Sequence, residues 1–273
     1  MTKQMLNNGT LNNGTLNNGT FNDDTTKDGV FELCVGCPYR SAFYVIQEVF
    51  GKNAIFISDI DCSLLGVRID RAGAVNCTGT SIHMAADMAD SGETKPICCT
   101  VSDLAFLNTE LDSLAAAVSN GANITVAVLD SGIAAMANPH LISNINQTAA
   151  GEAPPDISLE AICASLGAPL IKTADAFDYS ALKTAFRDAK VFSGVSVVIV
   201  QQFCSIAKNA SAAELSLFEV VPDKCKGCRR CMLLGCQAIE FDKNKAVAFI
   251  NDGCTGCGFC AQICGFDAIA EAE

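Results

Sequence analysis

Residues 180–200 read Ser180-Ala-Leu-Lys-Thr-Ala-Phe-Arg-Asp-Ala-Lys-Val-Phe-Ser-Gly-Val-Ser-Val-Val-Ile-Val200. The closing run, Val195–Val200, is short and almost wholly apolar, as a strand covered on both faces should be. Ser180–Ala189 before it is a helix candidate. Working outward, the same alternation recurs, with strand candidates at Ala54–Ser58, Ile97–Val101, Ile124–Leu129 and Leu170–Lys172. Helix candidates lie between them at Tyr39–Phe50, Ser81–Asp90, Leu111–Val118 and Ser158–Leu166. Strands alternating with helices predict an α/β domain with a mostly parallel sheet over residues 30–221.

Composition sets the outer limits. The 273 residues leave room for one large domain and a small one. Half of them are apolar and 18% are charged, so a sizeable core is expected rather than global disorder. A formal charge of −12 leaves no electrostatic footprint for nucleic acid or an anionic membrane surface. No apolar run has the length of a membrane span, and the polar N-terminus lacks a signal peptide's hydrophobic segment. The expectation is a cytoplasmic protein. Residues 6–20 are three copies of Leu-Asn-Asn-Gly-Thr, too few to stack into a solenoid, so residues 1–29 are expected to form a disordered low-complexity tail.

Pro222 opens a change of composition: half of the 16 cysteines lie beyond it. Clustered thiols in a chain without an export signal indicate metal sites rather than disulfides. Cys225, Cys228 and Cys231 form Cys-x2-Cys-x2-Cys, followed by Cys236; Cys254, Cys257 and Cys260 repeat the spacing, followed by Cys264. Three thiolates so spaced wrap a corner of an iron–sulfur cube, with Gly227 and Gly256 giving the loops their freedom of φ. The fourth cysteine of each run lies too far along to join its own cube and ligates the other. The expected quartets are Cys225, Cys228, Cys231, Cys264 and Cys254, Cys257, Cys260, Cys236. Residues 222–273 are therefore expected to form a small α+β ferredoxin-like domain with two [4Fe–4S] clusters. Zinc ribbons, the competing reading, use pairs of cysteines rather than triplets. Gln237 and Gly265 stand where proline often follows the fourth cysteine, a departure affecting loop shape and not ligand number.

Upstream the chain carries Cys34-Val-Gly-Cys37-Pro-Tyr-Arg, Ser58-Asp-Ile-Asp-Cys62, Asn76-Cys-Thr-Gly79, Ser102-Asp103-Leu-Ala-Phe, Leu129-Asp130-Ser131-Gly-Ile133 and Val197-Val-Ile-Val-Gln-Gln-Phe-Cys204. In this order, ahead of two cysteine triplets, these segments resemble the C-terminal half of the indolepyruvate:ferredoxin oxidoreductase alpha-subunit family, of the 2-oxoacid:ferredoxin oxidoreductase superfamily. The resemblance runs from about Val30 to the C-terminus. It implies a thiamine-diphosphate-binding-type domain and, at Cys34, Cys37, Cys62 and Cys204, a third [4Fe–4S] cluster. It also implies Mg²⁺ held by Asp103, Ser131 (in place of an asparagine) and the Ile133 carbonyl, with Gly79 near the cofactor. Ser58, Asp61, His83 and Ser102 stand where the family places glycines that let backbone approach the cofactor.

The implied activity is oxidative decarboxylation of an indolepyruvate-like aryl 2-oxo acid to an acyl-coenzyme A, with electrons leaving through the clusters to ferredoxin. The family's second cofactor-binding domain has no counterpart here, so other oxidoreductase subunits are expected to supply it in a hetero-oligomer. The alternative is a non-catalytic electron-transfer subunit with a degenerate thiamine diphosphate site. Among the remaining residues, His83 and His140 read as structural or solvated and Cys98 and Cys99 as core. Lys224, Lys226, Arg229 and Arg230 read as charge compensation for a cluster, with a ferredoxin docking spot as the rival reading.

Overall fold

The computed structural model describes residues 33–59, 62, 74–77, 79–132, 158–205 and 216–272, the stretch 74–77 by its backbone alone. The expected tail of residues 1–29, Asp61, Ile133 and His140 lie outside the described residues. Helix α1 (Pro38–Phe50) starts with proline at its first turn, where a missing N–H costs nothing. Then follow β1 (Ile55–Asp59), β2 (Ala74–Cys77), α2 (Ser81–Asp90), β3 (Ile97–Ser102), α3 (Leu111–Asn120) and β4 (Thr125–Asp130). The chain continues through α4 (Leu159–Ser165), β5 (Leu170–Asp175), α5 (Tyr179–Val191) and β6 (Ser196–Gln201).

These six strands form one parallel sheet in the order β2-β1-β3-β4-β6-β5, so the α/β expectation holds. All five expected strands are present, and each expected helix lies within about two residues of its place. Strand β2 is an addition. It is four residues at the sheet edge, Ala74-Val-Asn-Cys77, with no continuous apolar run to mark it. Strand β5 runs three residues past Lys172 because, as the other edge strand, it carries solvent-facing Thr173 and Asp175.

Side chains alternate across the sheet with the two-residue period of a strand. Val126, Val128, Val197 and Ile199 face one layer, with Ile82, Leu114 and Cys163 of α2, α3 and α4. Ala127, Leu129, Val198 and Val200 face the other, with Val45 and Ile46 of α1 and Leu182 and Phe186 of α5. Cys98 and Cys99 are fully buried, one on each side, as core residues.

The C-terminal segment lies on the α1 and α5 layer, where Leu234, Ile239, Phe259 and Ile263 join the same core. It contains two antiparallel ribbons, β7 (Phe218–Val220) with β10 (Ile269–Glu271) and β8 (Ile239–Asp242) with β9 (Val247–Ile250), plus the short helix α6 (Phe259–Gln262). Two-stranded ribbons are marginal alone, and this packing supplies what they lack. Tyr44, Tyr179 and Phe259 form a ring trio with centroids 6.0–6.5 Å apart. Around it, Glu48 accepts from Lys183 at 2.7 Å and from the Tyr179 hydroxyl at 2.8 Å, while Arg230 donates to both tyrosine hydroxyls at 3.2 Å. Arg230 of the basic knot is thus engaged by these two tyrosines. Among the described residues no helix is long and apolar enough to cross a membrane.

Candidate cofactor and redox centre

In the sheet order, β1 is flanked by β2 on one side and β3 on the other. Such a reversal opens a crevice at the carboxyl ends of the strands, where parallel α/β sheets bind ligands. Asp59 ends β1, is 3% exposed, and accepts the Gly79 backbone N–H at 2.8 Å. One strand over, the Ser102 hydroxyl caps the first helical turn by accepting from Ala105 N–H at 3.4 Å, and the Asp103 carboxylate accepts from Leu104 N–H at 2.8 Å. A π-turn at Phe106–Glu110 follows, and buried Glu110 accepts from the Ser81 hydroxyl and the Ile82 N–H at the start of α2. Strand β4 ends at Asp130, and Ser131 after it is 3% exposed.

Gly79, Asp103 and Ser131 therefore share one sheet edge, with Asp103 and Ser131 at the ends of adjacent strands. Oxygen donors of this kind suit a hard divalent cation, so these residues fit Mg²⁺. Ser58, buried in β1, is engaged with the Thr100 hydroxyl at 2.9 Å. His83 is exposed in the first turn of α2, 3.5 Å from Asp87.

The thiols occupy three places. Cys34, Cys37, Cys62 and Cys204 come from the entry to α1, the end of β1 and the end of β6. Burial, then the charge of Cys204, pushes the Cys34 thiol up. Burial also pushes Cys37 up strongly, with Cys62 and Cys34 adding to it. These side chains are electrostatic neighbours. The Cys204 N–H donates to the Ser131 carbonyl at 3.2 Å, so this quartet adjoins the crevice.

In the C-terminal segment, burial and then Cys225, Cys228 and Cys264 raise Cys231. Burial followed by Cys257, Cys236 and Cys254 raises Cys260 to about 12, with Cys231 a smaller contributor. The fourth thiol facing each triplet comes from the other run. One apolar cavity is lined by Cys236, Cys254, Cys257 and Cys260, another by Cys225, Cys228, Cys231 and Cys264. Gly36, Gly227, Gly256 and Gly258 all have φ near +60 to +70°, and a Cβ on Gly227 would overlap the Ala246 carbonyl oxygen. Arg229, in the position equivalent to Gly258, also has φ 59°, and its guanidinium lies 4.2 Å from the Phe241 ring centroid.

Every described cysteine is a free thiol. Among the described residues no three His, Cys, Asp or Glu side chains converge on a single-ion position. The two C-terminal quartets, soft thiols in fours around apolar cavities, fit iron–sulfur cubes.

Comparison with known proteins follows the same lines. Residues 71–200 match the C-terminal TPP binding domain of thiamine pyrophosphate enzymes. Over 257 residues the chain is 33% identical to indolepyruvate oxidoreductase subunit IorA of Thermococcus kodakarensis, covering 86% of this chain and 40% of that protein. These matches support a place for the chain in the 2-oxoacid:ferredoxin oxidoreductase superfamily. The Pyrococcus abyssi IorA subunit is 31% identical, with 88% of this chain and 40% of that protein covered. The chain thus spans about two fifths of the length of these curated relatives. The fold is shared with a solved superfamily member, the 2-oxoglutarate:ferredoxin oxidoreductase of Magnetococcus marinus, at TM-score 0.54 and 13% identity over 66% of each chain.

Two residues at this centre escape a reading based on motifs. Glu110 joins α2 to the π-turn behind Asp103, and nothing in its spacing marks it. Arg40 sits between thiol loops that are far apart in sequence. Its signal is its place as the one charged residue among the first ten of the helix Pro38–Phe50, all nine neighbours there being uncharged.

Proposed function

We propose that this chain is the electron-conducting subunit of a 2-oxoacid:ferredoxin oxidoreductase acting on an aryl 2-oxo acid such as indolepyruvate, and that it holds the diphosphate end of thiamine diphosphate through Mg²⁺. The observation that carries the reading is the serial arrangement of thiols. The Ser131 strand end is hydrogen-bonded to Cys204. The loop from Cys34 to Cys37 packs at Gly36 against Thr255, within the Cys254–Cys257 loop. Cys260 in turn senses Cys231 of the remaining quartet, and Cys228 there is exposed. This supports an order of electron flow from crevice to Cys34 quartet, to Cys254 quartet, to Cys225 quartet, and out to ferredoxin.

Thiamine diphosphate, when bound, supplies the carbanion chemistry that decarboxylates a 2-oxo acid, and coenzyme A takes the acyl group. In this reading Asp103 and Ser131 ligate Mg²⁺, Gly79 lets backbone approach the cofactor, and Asp59 holds the Gly79 loop in place. Cubanes held at these quartets would supply one-electron acceptors. In this reading the aminopyrimidine half of the site comes from outside the matched region, which spans about two fifths of the curated relatives.

A second reading, an electron-transfer subunit without catalysis, draws on Ser102 and Ser58, side chains where the resemblance places glycines. Assay of the natively purified complex separates the two. Stoichiometric thiamine diphosphate and Mg²⁺, with indolepyruvate- and coenzyme A-dependent ferredoxin reduction, support catalysis. Full iron without the organic cofactor supports the second reading.

A further inference from the structure

Arg40 is 6% exposed, and its guanidinium donates to four backbone carbonyls: Leu33 and Cys34 at one thiol loop, Leu234 and Gly235 beside Cys236. Carbonyls carry no compensating charge. Among the described residues no carboxylate pairs with it, and its buried Nε has no hydrogen-bond partner. A permanently charged group buried without a counter-ion is costly, so the fold holds it there against something anionic. The groups facing it are thiols: Arg40 lines one cavity with Cys37, Cys254, Cys257 and Cys260.

We propose that Arg40 is a positioning and tuning residue shared by the iron–sulfur centres at Cys34/Cys37/Cys62/Cys204 and Cys236/Cys254/Cys257/Cys260. This rests on the cluster reading above and adds to it. The guanidinium supplies the counter-charge of both centres and offers Nε–H to the sulfur they contain. A buried cation stabilises the reduced, more anionic form of each cluster and so raises its reduction potential. Placed between the two, it lifts both together, which keeps the step between them shallow as one cluster loses an electron and its neighbour gains it. The centre at Cys225, Cys228, Cys231 and Cys264, whose cavity Arg40 does not line, serves as an internal reference.

The test is a spectroscopically monitored redox titration of the complex purified anaerobically with wild-type chain, Arg40→Gln and Arg40→Lys. Arg40→Gln is expected to make the two flanking centres roughly tenfold harder to reduce, about 59 mV for one electron, while the Cys225 centre keeps its potential. Arg40→Lys, which keeps the charge, should hold both within about threefold of wild type. Unchanged potentials in Arg40→Gln, an equal shift of all three centres, or a tenfold loss in Arg40→Lys would each overturn the proposal. If Arg40→Gln loses iron at the flanking centres, the lysine variant alone decides by the same threshold. Wild-type protein without iron and acid-labile sulfide would sink the cluster reading instead, so the two failures are distinguishable.

Discussion

A Cβ at Gly227 would overlap the backbone carbonyl oxygen of Ala246, and the residue already has φ 62°. Neither strain is relieved by a rotamer change, so the loop between Cys225 and Cys228 must move if any side chain is added. Gly227→Ala is expected to lose about four of about twelve irons per chain, leaving the signals of the other two centres; retention of all iron in the variant would contradict this. Asp103 tests the crevice separately, because it lies at the end of β3. Asp103→Ala should lose bound Mg²⁺ and thiamine diphosphate from the complex while its iron content stays at the wild-type level. Loss of both together would mean that the variant disturbs the fold rather than the cation site. At this scale the two C-terminal cysteine runs stand out because sequence spacing encodes loop geometry, whereas Asp103 and the Cys34 quartet came from the resemblance. Arg40 and Glu110 were not legible, since their roles come from residues up to 195 and 29 positions away, a separation that no local pattern records.

Helix α5 shows what holds the crevice in shape. Its N-cap Asp178 accepts from Ala181 N–H at 2.9 Å, Leu182, Ala185, Phe186 and Ala189 bury one face, and Lys190 in the last turn donates to the Val49 carbonyl of α1. Leu182 is fully buried, so Leu182→Ala should destabilise the protein by about 2–5 kcal/mol, read as a lowered denaturation midpoint. The contact between α1, α5 and Arg230 responds to pH through Glu48. Burial alone would raise that carboxyl, but hydrogen bonds from Lys183 and Tyr179 and the charges of Lys183 and Arg230 outweigh it and hold it below the ordinary value. A carboxylate whose pKa falls on folding adds stability above its unfolded value, near 4.3, and loses it as the pH drops through the folded value. Glu48→Gln should therefore lower Tm at neutral pH, with the difference shrinking as the pH falls from about 4.3 through the lower folded value; a difference constant with pH would rule this out. Helices and inner strands were legible because both faces of each strand are apolar. The edge strand β2 was not, because four residues carrying Asn76 leave no run to see.

Across the whole molecule, the sheet's carboxyl edge, the Cys34 quartet and the two C-terminal quartets follow one another from Ser131 to the exposed Cys228. Packing of the C-terminal ribbons onto the α1 and α5 layer makes this succession part of the core itself, and the aromatic trio with Arg230 and Glu48 secures it. The parallel α/β fold could be read from alternation alone. The closeness of the Cys34 loop to the Cys254 loop could not, because it depends on how the C-terminal segment lies on α1. Lys224, Lys226 and Arg229 are exposed at the Cys228 end in an otherwise acidic chain.

The most direct measurement is iron and acid-labile sulfide content, with low-temperature spectra, of the complex purified without oxygen. The account predicts about twelve of each per chain and three magnetically interacting [4Fe–4S] centres. Colourless protein without labile sulfide, or zinc in place of iron at these thiols, would contradict it.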